Sequence, residues 1–289
     1  MRKIFLPLAT AVLLFSCDEW KDDLFKPDEF ESGKNQPASI PSRAEEGQLY
    51  NMSLDEWSKN KSKYNKDSVE ICCAADVNDQ DRKVWGSANE ATVMLGIQNC
   101  VPESLKVAVP GEGKRAAKIQ SRYINTALVK KFAAGSLFTG QMGNINILMG
   151  NATLKWGIPF TRRPKSLEGY ACYQPRTISH VKSPYENKMG KMDTGVIYVV
   201  LGDWNGQVTI DPAESMFLDV NNDQAIIGYG IVSYNSHMDD YEKFSINIDY
   251  RSDRTPTRVI IVASSSELGD YFTGGDGSTL YLDELRFIY

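Results

Sequence analysis

The chain has 289 residues, 42% of them hydrophobic and 24% charged, with a formal net charge of −5. That apolar content, with 14 Tyr, 11 Phe and 5 Trp, excludes a disordered chain, and 22 Gly with 12 Pro in no fixed period exclude a collagen-like one. The mild acidity argues against a nucleic-acid partner, which wants clustered Lys and Arg, and two His residues leave little for a His-based metal centre.

In chain order, Arg2 and Lys3 precede the one long apolar run, Ile4 to Phe15. The run is too short to span a bilayer. Its basic start, apolar centre and small-residue end predict a secretory signal over residues 1–16. The sequence Leu14-Phe15-Ser16-Cys17 resembles the lipobox of bacterial lipoproteins, in which cleavage precedes a Cys that is then lipidated. The resemblance implies lipidation at Cys17 and a membrane contact through the lipid anchor only. Asp18, Glu19, Asp22 and Asp23 follow, an acidic run that resembles the export signal placing some lipoproteins on the cell surface. An outer-membrane location facing the cell exterior is therefore expected. Residues 17–47 include Pro27, Pro37 and Pro41 and show no apolar periodicity, which predicts a flexible tether.

Residues 48–289 read as one domain of short strands. Ala152, Leu154, Trp156 and Ile158 alternate with Thr153, Lys155 and Gly157; Phe244, Ile246, Ile248 and Tyr250 alternate with Ser245, Asn247 and Asp249. Val196 to Leu201 and Val259 to Ala263 are near-continuous apolar runs, as expected of strands covered on both faces. Further strands are expected at 92–97, 104–109, 115–122, 166–173, 225–234 and 279–288, with a short helix around Ser265 to Tyr271. Turn signals lie between them, among them Asn205-Gly206, Asn221-Asn222-Asp223 and Gly274-Gly275-Asp276-Gly277. The expected fold is all-β, a jelly-roll-like antiparallel β-sandwich.

Beyond Cys17, Cys72, Cys73, Cys100 and Cys172 remain. An oxidising export route allows disulfides, and four Cys permit three complete pairings that spacing does not decide; buried free thiols are the favoured reading. In the last strand, Tyr281, Asp283, Leu285, Phe287 and Tyr289 share one face at period two, which turns a carboxylate toward the core. Jelly-roll carbohydrate-binding modules often hold a structural calcium at the ends of their first and last strands. Leu280 to Leu285 resembles that last strand and Leu54-Asp55-Glu56-Trp57 the first, which implies Asp55 and Asp283 as calcium ligands. The alternative is that Asp283 accepts backbone N–H groups or meets an Arg. No other cofactor is expected.

Several blocks carry a wider likeness: Leu49-Tyr50-Asn51-Met52-Ser53, Val84-Trp85-Gly86-Ser87-Ala88-Asn89, Phe132 to Gly140, Trp156-Gly157-Ile158-Pro159-Phe160-Thr161 with Arg163-Pro164-Lys165-Ser166-Leu167, and Val262 to Glu284. In this order they resemble the Putative carbohydrate metabolism domain family of bacterial surface lipoproteins, over about residues 48–289. The resemblance implies an all-β, jelly-roll-type domain found with glycan-use systems. It supplies no established catalytic residues.

Sugar binding needs flat rings for C–H faces and polar groups for hydroxyls. The candidates are Trp85 and Asn89 at the ends of a loop-like block, Tyr170 and Tyr173 with one of the two facing outward, Trp204 in a turn, and Arg163 after a strand end. Trp156 reads as core. Hydrolysis would need two matched carboxylates; Asp203, Asp249 and Asp270 are the candidates, and nothing in the sequence pairs any two. No GxSxG occurs, and Gly111-Glu112-Gly113-Lys114 is too short for a phosphate loop. The expected function is a lipid-anchored carbohydrate-binding protein that assists glycan capture, with a glycan or oligosaccharide as ligand and outer-membrane uptake proteins as partners. A glycoside hydrolase is the alternative, and a structural or adhesion lipoprotein the second alternative.

Overall fold

The structure, a computed structural model, describes residues 46–61, 67–73, 83–110, 113–127, 129–146 and 151–289. The expected signal, Cys17 and nearly all of the expected tether lie outside the described residues. Residues 43–289 form one compact unit.

The strands of the first half are β1 (Ser58–Lys61), β2 (Ser68–Ile71), β3 (Trp85–Ser87), β4 (Cys100–Glu103), β5 (Ala116–Gln120), β6 (Arg122–Asn125), β7 (Lys130–Ala133) and β8 (Ser136–Asn146). Then come β9 (Asn151–Trp156), β10 (Ile158–Pro159), β11 (Ser166–Gln174), β12 (Gly195–Gly202) and β13 (Val208–Ile210). The last are β14 (Ile226–Tyr234), β15 (Glu242–Asn247), β16 (Asp249–Tyr250), β17 (Arg258–Ser264) and β18 (Thr279–Ile288). Nine strands form one sheet in the order β13-β9-β8-β17-β12-β14-β16, with β10 beside β17 and β3 beside β8. Five form the other, in the order β15-β11-β18-β5-β4. β1–β2 and β6–β7 are separate two-stranded ribbons. Every pairing between these strands is antiparallel, so the chain is the expected all-β sandwich.

The period-two rule explains the layers. Ile197, Val199 and Leu201 of β12 and Val259, Ile261 and Ala263 of β17 join Leu167, Ala171 and Tyr173 of β11 and Leu280 and Leu282 of β18 in the core between the sheets. The alternate residues Val200, Ile260 and Val262 face the other way, where they pack with Phe138 and Trp156 in a second cluster. The loop after β13 lays Phe217, Leu218 and Val220 against that cluster. The two apolar runs are continuous because both faces of these strands are covered.

Three expectations are corrected. The stretch 92–97 is not a strand. Asn89–Thr92 (α1) and a 3₁₀ turn at Val93–Leu95 end on Gly96 in the left-handed region. No strand forms over 104–109; Leu105 is 98% exposed, and the Ala108 N–H donates to the Asp283 carboxylate instead of to a ladder. The single-face reading of the last strand also fails. Between Asp283 and Arg286 the pairing with β11 slips by one residue, and Glu284 has φ +49°. This bulge changes the phase, so Leu280 and Leu282 point to the core before it and Leu285 and Phe287 after it. Tyr281 is buried at the edge of the same cluster, near Lys106, Lys118 and Tyr241. Of the helix expected over 265–271, a 3₁₀ turn at Gly269–Tyr271 forms.

Candidate functional site

Of the sugar-contact residues expected from sequence, Trp85 and Asn89 line one cavity of about 420 Å³ beside β2 and β3, and the others lie elsewhere. Trp85 is buried, with its Nε1 donating to the Tyr50 and Asn51 carbonyls. Asn89 is buried too; its amide donates to Glu70 O and Cys100 O, and its Oδ1 accepts from the N–H groups of Asn99 and Cys100. Tyr173 lies in the core and donates to Ser265 O at 2.9 Å. In all three the polar atoms complete the bonding of buried backbone. Tyr170, three residues away on β11 and of opposite parity, is half-buried. Arg163 donates to the carbonyls of Ser252 and Arg254 and stacks 4.1 Å over the Tyr250 ring, which makes it a clamp on the loop after β16. Trp204 packs over Gly202 at one end of the outer cluster, its Nε1 donating to Asp223 at 2.9 Å.

The three carboxylate candidates are also apart. Asp203 follows β12 at its Gly202 end and is ion-paired with Arg254. Asp270 lies beyond the Ser264 end of β17, which pairs with Val196. Six steps of about 3.3 Å along β12 put roughly 20 Å between those ends, against the ~5–9.5 Å of a hydrolytic pair. Asp249 is exposed on the edge strand β16.

The structure instead builds a cavity of about 190 Å³ on the outer face of the nine-stranded sheet. Leu154 and Trp156 of β9, Tyr198 of β12 and Val262 of β17 line it from the sheet. Lys131 of β7, Asn151 of β9, and Asp270 and Phe272 from the turn after β17 bring polar and aromatic groups to it. The Trp156 and Tyr198 rings meet edge-on at 6.3 Å. Trp156 Nε1 is buried and has no hydrogen-bond partner among the described residues, a state that ordinarily costs about 1–3 kcal/mol. Lys131 Nζ donates to Asn151 Oδ1 at 2.7 Å and sits 3.9 Å over the Phe272 ring.

Electrostatics in the cavity follow from desolvation. Burial pushes the Asp270 carboxyl up to about 6. Burial also raises the Tyr198 hydroxyl well above its ordinary value, helped by the nearby Asp270 charge. The Lys131 ammonium is lowered by burial first and by the Lys182 charge second, with Asp211 acting in the opposite direction. An aromatic floor with donors and acceptors at its edge can stack on the C–H face of a sugar and bond its hydroxyls.

Asp283 is buried; its Oδ2 accepts from Ala108 N at 2.8 Å and its Oδ1 from Glu284 N at 3.0 Å. Burial pushes this carboxyl up to about 6, and the Asp55 charge adds to the rise. Asp55 Oδ1 in turn accepts from the N–H groups of Lys114 and Arg115. Backbone donors thus hold both carboxylates, and among the described residues no three His, Cys, Asp or Glu side chains gather to hold a metal ion. Cys72, Cys73, Cys100 and Cys172 are all buried thiols that form no disulfide with one another. Ser265 and Ser266 bond to Ser121, and Ser266 also bonds to Asp193, so the serine run is a buried structural network.

Of the expected site residues, Asp270 alone lines the cavity. Sequence reasoning missed Lys131, Asn151, Tyr198 and Phe272, and read Trp156 as core only. One signal was present: Tyr198 is the single hydroxyl-bearing side chain in the run Val196 to Leu201, on the parity opposite to Ile197, Val199 and Leu201.

The family model described as "Putative carbohydrate metabolism domain" matches residues 53–288. A structure from Bacteroides vulgatus described as a "putative glycoside hydrolase" is similar with a TM-score of 0.59 and 17% identity, covering 82% of this chain and 96% of that one. Another so described, from Bacteroides thetaiotaomicron, is similar with a TM-score of 0.57 and 21% identity, covering 83% of this chain and 70% of that one. At these identities the likeness is one of fold. No curated protein matches the chain.

Proposed function

Because the chain belongs to the Putative carbohydrate metabolism domain family, we propose that the cavity on its outer sheet face binds a glycan, and that the protein is a lipid-anchored glycan-capture protein. The domain is carbohydrate-related; binding as its task is the step proposed. The carrying observation is the Trp156–Tyr198 floor, whose buried indole N–H has no partner among the described residues. A ring hydroxyl would accept that N–H while the sugar's apolar face covers Tyr198. Isothermal titration against a panel of oligosaccharides tests this. Tyr198→Ala, with its fold confirmed by circular dichroism, is expected to weaken binding about tenfold, the loss of one aromatic contact. No binding to any glycan by folded protein would remove the proposal.

Lipidation at Cys17, the outer-membrane position facing the cell exterior and transfer of captured glycan to uptake partners belong to the same reading. They rest on the sequence alone. Incorporation of labelled fatty acid that is lost in Cys17→Ser, and protease access on intact cells, test them.

One observation favours a hydrolytic reading. The carboxyl of Asp270, at about 6, suits an acid catalyst, and Glu267 lines the same cavity. Release of reducing sugar that disappears in Asp270→Asn would establish it. A structural calcium at Asp55 and Asp283 is carried by the closeness of the two charges alone; a rise in melting temperature on adding calcium to chelator-treated protein is its test, and no rise would remove it.

A further inference from the structure

Beside the cavity runs a second groove of about 470 Å³, which shares Lys131 and Phe272 with it. Its charge is one-sided: Lys130, Lys131 and Lys182 line it together with His180, and among the described residues no Asp or Glu does. Lys131 Nζ lies 3.9 Å and Lys182 Nζ 4.9 Å from the centroid of the same Phe272 ring. Two ammonium groups therefore face one aromatic ring, and the Lys182 charge adds to the cost of charging Lys131. Asp211 acts on Lys131 less than burial and Lys182 do, and Asp276 accepts the Tyr123 N–H at 3.0 Å. On the other wall the Tyr123 and His180 rings stack at 3.7 Å and 19°, held from behind by a Ser179–His180 Nδ1 hydrogen bond.

We infer that this groove accepts an anionic sugar residue of the bound glycan, its acidic substituent lying between Lys131 and Lys182 and its ring beside Tyr123. The inference rests on the glycan-binding reading of the adjoining cavity and adds the class of glycan. The substituent is a carboxylate, as in a uronic acid, or a sulfate ester; both place two or more acceptor oxygens against the ammonium groups. The same continuity explains why the cationic groove opens into an aromatic-floored cavity: neutral residues of the chain occupy the second while the charged one occupies the first.

The test uses the full chain and four probes: a polygalacturonate oligomer, a sulfated galactan oligomer, a neutral galactan oligomer of the same length, and a short DNA duplex. Tighter binding of an acidic oligomer than of the neutral one supports the inference, provided it weakens on raising salt from about 50 to about 500 mM. In Lys182→Met that binding is expected to fall about tenfold, and further in Lys182→Glu, with neutral binding unchanged. The polygalacturonate and sulfated arms decide between carboxylate and sulfate. Equal binding of acidic and neutral oligomers overturns the inference and leaves the glycan-binding reading standing. No binding of any oligomer by folded protein overturns both. Acidic binding that neither Lys182 variant changes overturns the assignment to this groove. DNA bound as tightly as the acidic oligomers overturns the glycan class.

Discussion

Asp270 and Asp193 meet desolvation with opposite resources. Asp193 is buried, yet it accepts from Ser266 Oγ at 2.6 Å, Gly275 N at 2.7 Å, and Ser278 Oγ and Thr194 N at 2.8 Å, and these bonds work against the rise that burial causes. Among the described residues no ion pair reaches Asp270, so burial alone pushes it up to about 6 from an ordinary value of 3.8. A folded-state value above the unfolded one means the fold keeps a proton that the unfolded chain releases. The contribution of Asp270 to stability therefore falls as pH rises from about 4 to about 6, and is flat above that. Asp270→Asn removes this slope. Its melting temperature should match that of the wild type near pH 4 and exceed it at pH 7; equal slopes for the two proteins would show that Asp270 is solvated as an ordinary surface carboxylate.

Among the elements, β8 carries the tightest constraint. Gly140 has φ +142°, and a Cβ there would stand 2.1 Å from the Lys155 carbonyl oxygen on the neighbouring β9. Both the backbone angle and the approach demand glycine. Gly140→Ala is expected to cost about 2 kcal/mol or more, read as a lower midpoint in urea unfolding. It would also shift β9, and with it Trp156, so ligand affinity should fall with stability. The elements that were legible in sequence are those whose pattern comes from the layers themselves. β9 and β15 alternate, and β12 and β17 are continuous because each side of the nine-stranded sheet is covered. The failures have physical causes. A six-residue apolar run such as 92–97 fits a helical turn as well as a strand. At 104–109 a side-chain carboxylate takes the N–H of Ala108, which a ladder would otherwise use. In β18 one residue of bulge inverted the parity of every later side chain, a shift that no count along the chain anticipates.

At the scale of the molecule, the cavity was hidden because its parts are scattered. Lys131, Asn151, Trp156, Tyr198 and Asp270 lie on segments that meet only once β8, β9, β12 and β17 have taken their order in the sheet. Single-chain periodicity gives each residue a parity and no neighbour. The same logic sets how much chain the fold requires. The family match begins at residue 53, but structure begins earlier. Gln48 pairs through its amide with both N–H and C=O of Phe287, Met52 O accepts from Leu285 N, and Leu49 and Met52 are buried in the inter-sheet core. This segment meets the part of β18 that lies beyond its pairing with β5, which ends at Leu282. A chain starting at residue 46 should melt as the full-length protein does. A chain starting at residue 53 loses two buried apolar side chains and the bonds to β18, an expected loss of about 3–6 kcal/mol. That is a large share of a domain's ~5–15 kcal/mol, so the shorter chain should be largely unfolded at body temperature by circular dichroism. Equal melting of the two chains would show that residues 48–52 rest on the core without supporting it.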